Sequence, residues 1–241
     1  MTGRLDLTAV VVGASSGMGR ATVVALAEAG AHVVAVARRE NRLLTLKQEI
    51  QSRGGSVATS VADVTQADQI ERTIAGALQK SDRIDLLVYA TGTNAPDRAL
   101  PVLTRERWDE LLATNLTGAF QCTEAVLPAM RSQKGGLIIY IASACVQFPD
   151  VSGVAYQASK HGLVGLAHGT RVEEKQNGIR TSVIFPGLCD TEILTRRPVP
   201  TPRDVLDQSL APEDVASAVL FLARLPSRAV VPELQLLPAR L

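Results

Sequence analysis

Short β-branched apolar runs, each followed by a segment with helical spacing, constrain this chain more than any other feature. Ala9-Val10-Val11-Val12 opens the series, and His32-Val33-Val34-Ala35-Val36-Ala37 follows a helical stretch that ends at Gly30. These runs lack polar alternation, which is the signature of strands buried on both faces. Residues 56–61, 84–89, 137–142 and 180–185 repeat the pattern, and 233–237 reads as a last strand. Leu43, Leu46 and Ile50 have helical spacing before Gly54-Gly55, and further helical segments are expected over 65–79, 104–130, from Tyr156 to near Gly178, and over 212–224. Pro128 is expected to kink or end the 104–130 segment, whereas Pro212 suits a first helical position. The alternation predicts one α/β domain over 1–241, with a doubly wound parallel sheet of about seven strands and helices on both faces. No repeat or flexible linker divides it.

Composition narrows the partners. Hydrophobic residues make up 46% of the chain but aromatic ones only 3%, so the core must be mostly Val, Leu, Ile and Ala. A net charge of +1 gives no electrostatic case for nucleic acid or an anionic membrane. No 18-residue apolar run occurs, and residues 1–6 do not read as a signal peptide. Cys122, Cys145 and Cys189 are scattered without CxxC spacing, which suits reduced thiols in a cytoplasmic protein; no metal site is expected.

Gly13, Gly17 and Gly19, with Ser15, Ser16 and Met18 among them, join the first strand to the first helix. Bare backbone there can approach a pyrophosphate at a helix N-terminus. The same stretch also fits GxSxG, the nucleophile elbow of serine hydrolases. Against that rival, only twelve residues precede Gly13 to supply an oxyanion loop, and His161 and His168 fall inside a helical segment. At the end of the second strand, where an acid would bind the ribose 2′-OH of NAD, stand Arg38 and Arg39. Two guanidiniums favour a 2′-phosphate, hence NADP(H). Asp63 and Val64, after the third strand, are expected beside the adenine, and Ala90 and Gly92 beyond the fourth complete the expected cofactor contacts.

Ser143 ends the fifth strand, and Tyr156 and Lys160 lie one helical turn apart on one face. Together with Gly13-Gly17-Gly19, Asn115 and Pro186-Gly187-Leu188-Cys189-Asp190-Thr191, they make the chain resemble the short-chain dehydrogenase/reductase family over nearly its whole length. Three places depart from the family pattern: Val12 stands where Thr is usual, Tyr89-Ala90-Thr91-Gly92 replaces Asn-Asn-Ala-Gly, and the C-terminal stretch Val231 to Pro238 lacks the common paired glycines and looks more like the family branch containing hydroxy-acid and serine dehydrogenases. The resemblance implies a Rossmann-type fold, an oxidoreductase acting on a carbonyl or secondary alcohol, and catalytic roles for Asn115, Ser143, Tyr156 and Lys160. It further implies that Pro186, Gly187 and Thr191 cradle the nicotinamide, that Lys160 grips its ribose, and that Asn115 holds a water relaying protons to Lys160.

Reduction of a carbonyl needs a proton donor and a group to hold the oxygen, and Tyr156 and Ser143 can supply these. An ammonium ~4 Å from the phenol, at an effective dielectric near 20, favours the phenolate by roughly 4 kcal/mol, or about three pKa units. Lys160 is therefore expected to lower Tyr156 toward neutrality. Ser143, Cys145, Phe148 and Tyr156 are the expected substrate contacts, with Asn94, Gln147 and the segment 188–210 nearby. Cys145 and Cys189 read as small apolar fillers, and Arg196-Arg197 could receive an anion or simply be solvated. Gly162, Gly165 and Gly169 form a small-residue face that could pack on the sheet, while the resemblance implies a homodimer or homotetramer through this helix and the 104–130 segment. A non-catalytic dinucleotide-binding regulator on the same fold is the alternative.

Overall fold

The structure, a computed structural model, describes residues 3–240. Met1, Thr2 and Leu241, at the ends of the expected 1–241 domain and in the opening segment read against a signal peptide, lie outside the described residues. Seven strands form one sheet: β1 (Thr8–Val12), β2 (His32–Ala37), β3 (Val57–Val61), β4 (Leu86–Tyr89), β5 (Gly136–Ile141), β6 (Ile179–Pro186) and β7 (Glu233–Leu236). Their order is β3-β2-β1-β4-β5-β6-β7, and every neighbouring pair is parallel. The chain starts in the middle, winds to one edge, and returns to the other side of β1 as β4. That reversal opens a crevice beyond the carboxyl ends of β1 and β4, where open α/β sheets bind ligands.

The period-two geometry of β1 explains the layers. Ala9 and Val11 face one core, shared with α1 (Gly17–Glu28), α2 (Glu40–Ser52) and α8 (Pro212–Ala223). Val10 and Val12 face the other, shared with α3 (Ala67–Ser81), α5 (Gly118–Gln133) and α6 (Val154–Glu174). Both faces of β1 are therefore dry, as its unbroken apolar run requires.

The expected 104–130 helix is not one helix. It divides into α4 (Arg105–Leu112), a π-helical turn at Ala113–Thr117 containing Asn115, and α5. Pro128 was expected to kink or end it, yet α5 continues to Gln133. Pro128 and Glu124, whose carbonyl the missing N–H would have bonded, are both exposed, so water can satisfy the freed group. The segment 188–210 holds a short 3-10 turn at Glu192–Arg196 and one helical turn, α7 (Arg203–Leu206). On α6, a side chain at Gly162 would strike Leu116, whereas Gly165 and Gly169 border open space. Only the first of the three is a packing glycine of the domain. Among the described residues no helix is long and apolar enough to cross a membrane.

Candidate active site

The loop after β1 is shaped by close backbone contact. A Cβ on Gly13 would lie 2.8 Å from the Ala90 carbonyl carbon, and one on Gly19 would lie 2.3 Å from the Gly13 carbonyl oxygen. These two glycines let α1 and the end of β4 close on the loop. Gly19, expected at the cofactor, instead packs behind Gly13. The remaining loop residues, Gly13, Ser15, Ser16, Gly17 and Met18, line a cleft of about 640 Å³ at the carboxyl ends of the strands. Arg38, Arg39, Asp63, Val64, Ala90, Gly92, Tyr156, Lys160 and Thr191 line it too. Pro186 and Gly187 face a second cavity of about 580 Å³. Ser143, Cys145 and Phe148 line that second cavity, as does Asn94, but Gln147 does not. Tyr156 borders both.

Ser143 follows β5 in extended conformation and caps a 3-10 turn, its hydroxyl accepting from the Cys145 N–H at 3.3 Å. Lys160 is fully enclosed, donates from Nζ to the Ile141 carbonyl at 3.0 Å, and lies 5.7 Å from the centre of the Tyr156 ring. Asn115 is 0% exposed and fully engaged. Its Nδ2 donates to the Thr93 carbonyl and to Ser159 Oγ, both at 3.0 Å, and its Oδ1 accepts from the Thr93 N–H at 2.8 Å. The side chain thus ties the segment after β4 to α6, beneath the Tyr156–Lys160 turn.

The electrostatics correct one expectation. Burial pushes the Tyr156 phenol well up rather than down, with the Cys145 thiol adding to the rise and the neighbouring Ser143 hydroxyl opposing it. Burial also brings Lys160 down to about 8. Loss of solvent around both groups outweighs the attraction expected from their helical spacing. Burial likewise pushes Cys122 and Cys189 up to about 12 and raises Cys145, in keeping with three inert fillers.

At the far end of the cleft the two expected arginines part company. Arg38 turns to Asp63, 3.5 Å away. Burial alone would raise Asp63, but Thr65 and Arg38 outweigh it and hold the carboxyl below its usual value. Arg39 donates to Ser15 Oγ (3.1 and 2.9 Å) and Ser16 Oγ (2.7 Å), and it pairs with Glu192 at 2.9 Å. Arg42 pairs with the other Glu192 oxygen, and the two guanidiniums hold that carboxyl down at about 2. Sequence reasoning missed both Arg42 and Glu192. Arg42, one helical turn from Arg39, was within reach of a spacing argument; Glu192, 153 residues away in sequence, was not. The elbow rival fails here, because the Ser15 hydroxyl is held by Arg39 and no histidine lines its cleft.

A missed residue also explains the altered end of β4. The fully buried Tyr89 hydroxyl donates to the Thr114 carbonyl at 2.5 Å, bracing the sheet centre against the π-helical turn.

Comparison with known proteins agrees with this geometry. A family model described as short chain dehydrogenase matches residues 7–199. The chain belongs to the short-chain dehydrogenase/reductase family. A 3-oxoacyl-(acyl-carrier-protein) reductase of Thermotoga maritima is 32% identical over 219 residues, 89% of each chain. Among solved structures, a metagenomic short-chain oxidoreductase in complex with NADP superposes with a TM-score of 0.83 at 31% identity, covering 98% of both chains. An actinorhodin polyketide ketoreductase variant with NADPH gives a TM-score of 0.89 at 27% identity, covering 97% of this chain and 96% of that one. The protein is an oxidoreductase of this family, with its Rossmann-type sheet complete.

Proposed function

We propose that the protein is an NADP(H)-dependent oxidoreductase that interconverts a carbonyl and a secondary alcohol, with Tyr156 as the acid/base. The carrying observation is that Tyr156 alone of the expected catalytic four borders both cavities, so a cofactor in one and a substrate in the other would meet at its hydroxyl. The donor set fits an anionic ribose phosphate: Arg38, Arg39, Ser15 and Ser16 line the first cavity, Arg39 donates to both serine hydroxyls, and Arg42, in the adjoining pocket, joins Arg39 on the Glu192 carboxylate. The relatives solved with NADP and NADPH support the same cofactor. In this reading Arg42 adds a guanidinium beside Arg39, and Arg38, which lines the first cavity against Asp63, stays among the expected cofactor contacts.

When bound, the dinucleotide supplies a hydride to the carbonyl carbon. The chain's residues do the rest. Ser143 Oγ orients the carbonyl oxygen, and Tyr156 Oη donates the proton that the developing alkoxide needs. A phenol whose ionisation is pushed up by burial stays protonated at neutral pH, which suits reduction. Lys160 holds the ribose hydroxyls, and Asn115 positions the Tyr156–Lys160 turn through Ser159. The water relay expected of Asn115 would have to use its backbone carbonyl, since its side chain is already committed to Thr93 and Ser159. The segment 188–210 closes the substrate side. Three buried free thiols are compatible with a cytoplasmic, reducing setting, and the open face at Gly165 and Gly169 with a homodimer or homotetramer. Tyr89's bond to Thr114 supplies a bracing reason for the altered strand-four residues, which were the only feature favouring a non-catalytic regulator.

The test is Tyr156→Phe. Reduction of a ketone panel, followed by loss of NADPH absorbance, should fall by at least about a thousandfold, in the upper range for a positioned acid. NADPH binding, titrated by fluorescence, should persist. Retained turnover would sink the mechanism.

A further inference from the structure

Arg98 is a charged side chain that the chemistry above does not use. It lies in the irregular segment between β4 and α4, is only 9% exposed, and faces the second cavity together with Ser143 and Tyr156. A guanidinium has five donors and keeps its charge in proteins, so burying one demands an acceptor. Among the described residues none is present. Burial and the charge of Arg197 disfavour its own charge, and only the weaker fields of Asp150 and Tyr156 support it. Asp150 is exposed and its Oδ1 already accepts from the Ser152 N–H at 2.9 Å. Gly153, at φ +92°, closes on the arginine stem, where a Cβ would lie 2.8 Å from Arg98 Cβ. The stem is clamped and the head is left toward the cavity. Arg197, which donates to Thr201 Oγ1 at 2.9 Å, lines the same cavity. Two like charges beside one reaction centre, with a single exposed carboxylate nearby, make the cavity a place for an anion.

We propose that Arg98, assisted by Arg197, binds a carboxylate of the substrate, so that the protein selects short oxo acids, or the corresponding hydroxy acids, over neutral ketones. The carboxylate would lie a few bonds from the carbonyl held at Ser143 and Tyr156. The inference rests on the oxidoreductase reading for its carbonyl but not for its carboxylate. A neutral substrate would leave the buried guanidinium unpaired, which is the stronger source of discrimination.

The experiment compares kcat/KM with NADPH for 3-oxobutanoate and for its methyl ester. The acid should be preferred by roughly 100-fold, the scale of a partly buried bidentate guanidinium–carboxylate contact. Arg98→Gln should bring the acid-to-ester ratio close to one. If that variant does not fold, Arg98→Lys, which keeps the charge and loses the fork, should retain the preference at about a tenth of its size. A wild-type ratio near one overturns the carboxylate assignment and leaves the oxidoreductase reading intact. If neither ketone is reduced, binding decides the point. Trp108, the only tryptophan, packs in one cluster with Ala95 and Tyr156, so its fluorescence reports the cavity. Saturation by butanoate but not butanamide supports the assignment, and equal responses to both overturn it.

Discussion

Two pairs of arginines frame this protein, and they are treated in opposite ways. Arg39 and Arg42 lie on an exposed rim and are already satisfied by Ser15, Ser16 and Glu192. Arg98 is buried at the other end, beside the like charge of Arg197 and with no hydrogen-bond partner among the described residues. A solvated guanidinium loses little when its partner leaves, so the rim can exchange one anion for another. A desolvated one gains much from a partner that arrives. The rim is built for exchange and the interior for selection. Glu192 makes the rim contact from the same segment that lines the substrate cavity, so an incoming phosphate must displace a piece of that wall.

The largest expected effect at the rim comes from removing both guanidiniums. Arg39→Ala with Arg42→Ala should raise the KM for NADPH about 100-fold relative to NADH, since each charge-assisted phosphate contact on this exposed rim is worth about 1.5 kcal/mol, the low end for such bonds. Equal losses for the two cofactors would mean that these arginines do not read the phosphate. A smaller effect separates the interior from the rim by pH. Lys160, desolvated to about 8, gives up its proton as pH rises through that value. The kcat/KM for ketone reduction should therefore break near pH 8 and decline above it, while Arg98 stays charged. A plateau extending to pH 10 would show that Lys160 is better solvated than its burial implies.

Glu192→Gln should be milder still. Freeing the rim from its internal anion should tighten NADPH binding by about three- to tenfold, the worth of an exposed pair of contacts, and leave NADH unmoved. Weaker NADPH binding would mean that Glu192 orders the site instead of competing for it. Stability should change least. A carboxyl held down at about 2 contributes fully above its ordinary pKa and loses that contribution as pH falls toward 2. Because the pairs are exposed, Tm at neutral pH should drop by less than about 3 °C.

Much of the site was legible because its signals are local. Tyr156 and Lys160 share a turn, and Gly13 and Gly19 share a loop, so spacing alone relates them. The Tyr156 ionisation was misread because helical spacing fixes direction but says nothing of solvent. Helical period likewise gave no sign of the π-helical turn at Asn115, which depends on the Thr93 and Ser159 partners brought in from elsewhere.

The sequence by itself determined the parallel sheet, the strand–glycine–helix start, and the residue types able to move a proton. Those follow from backbone periodicity and side-chain chemistry, which act over a few residues. Only the tertiary structure decided which anion lies between Arg39 and Arg42, which tyrosine braces Thr114, and that Arg98 lacks a partner. Each of these depends on desolvation and on contacts between segments far apart in the chain, and no local pattern records how much water a folded chain leaves behind.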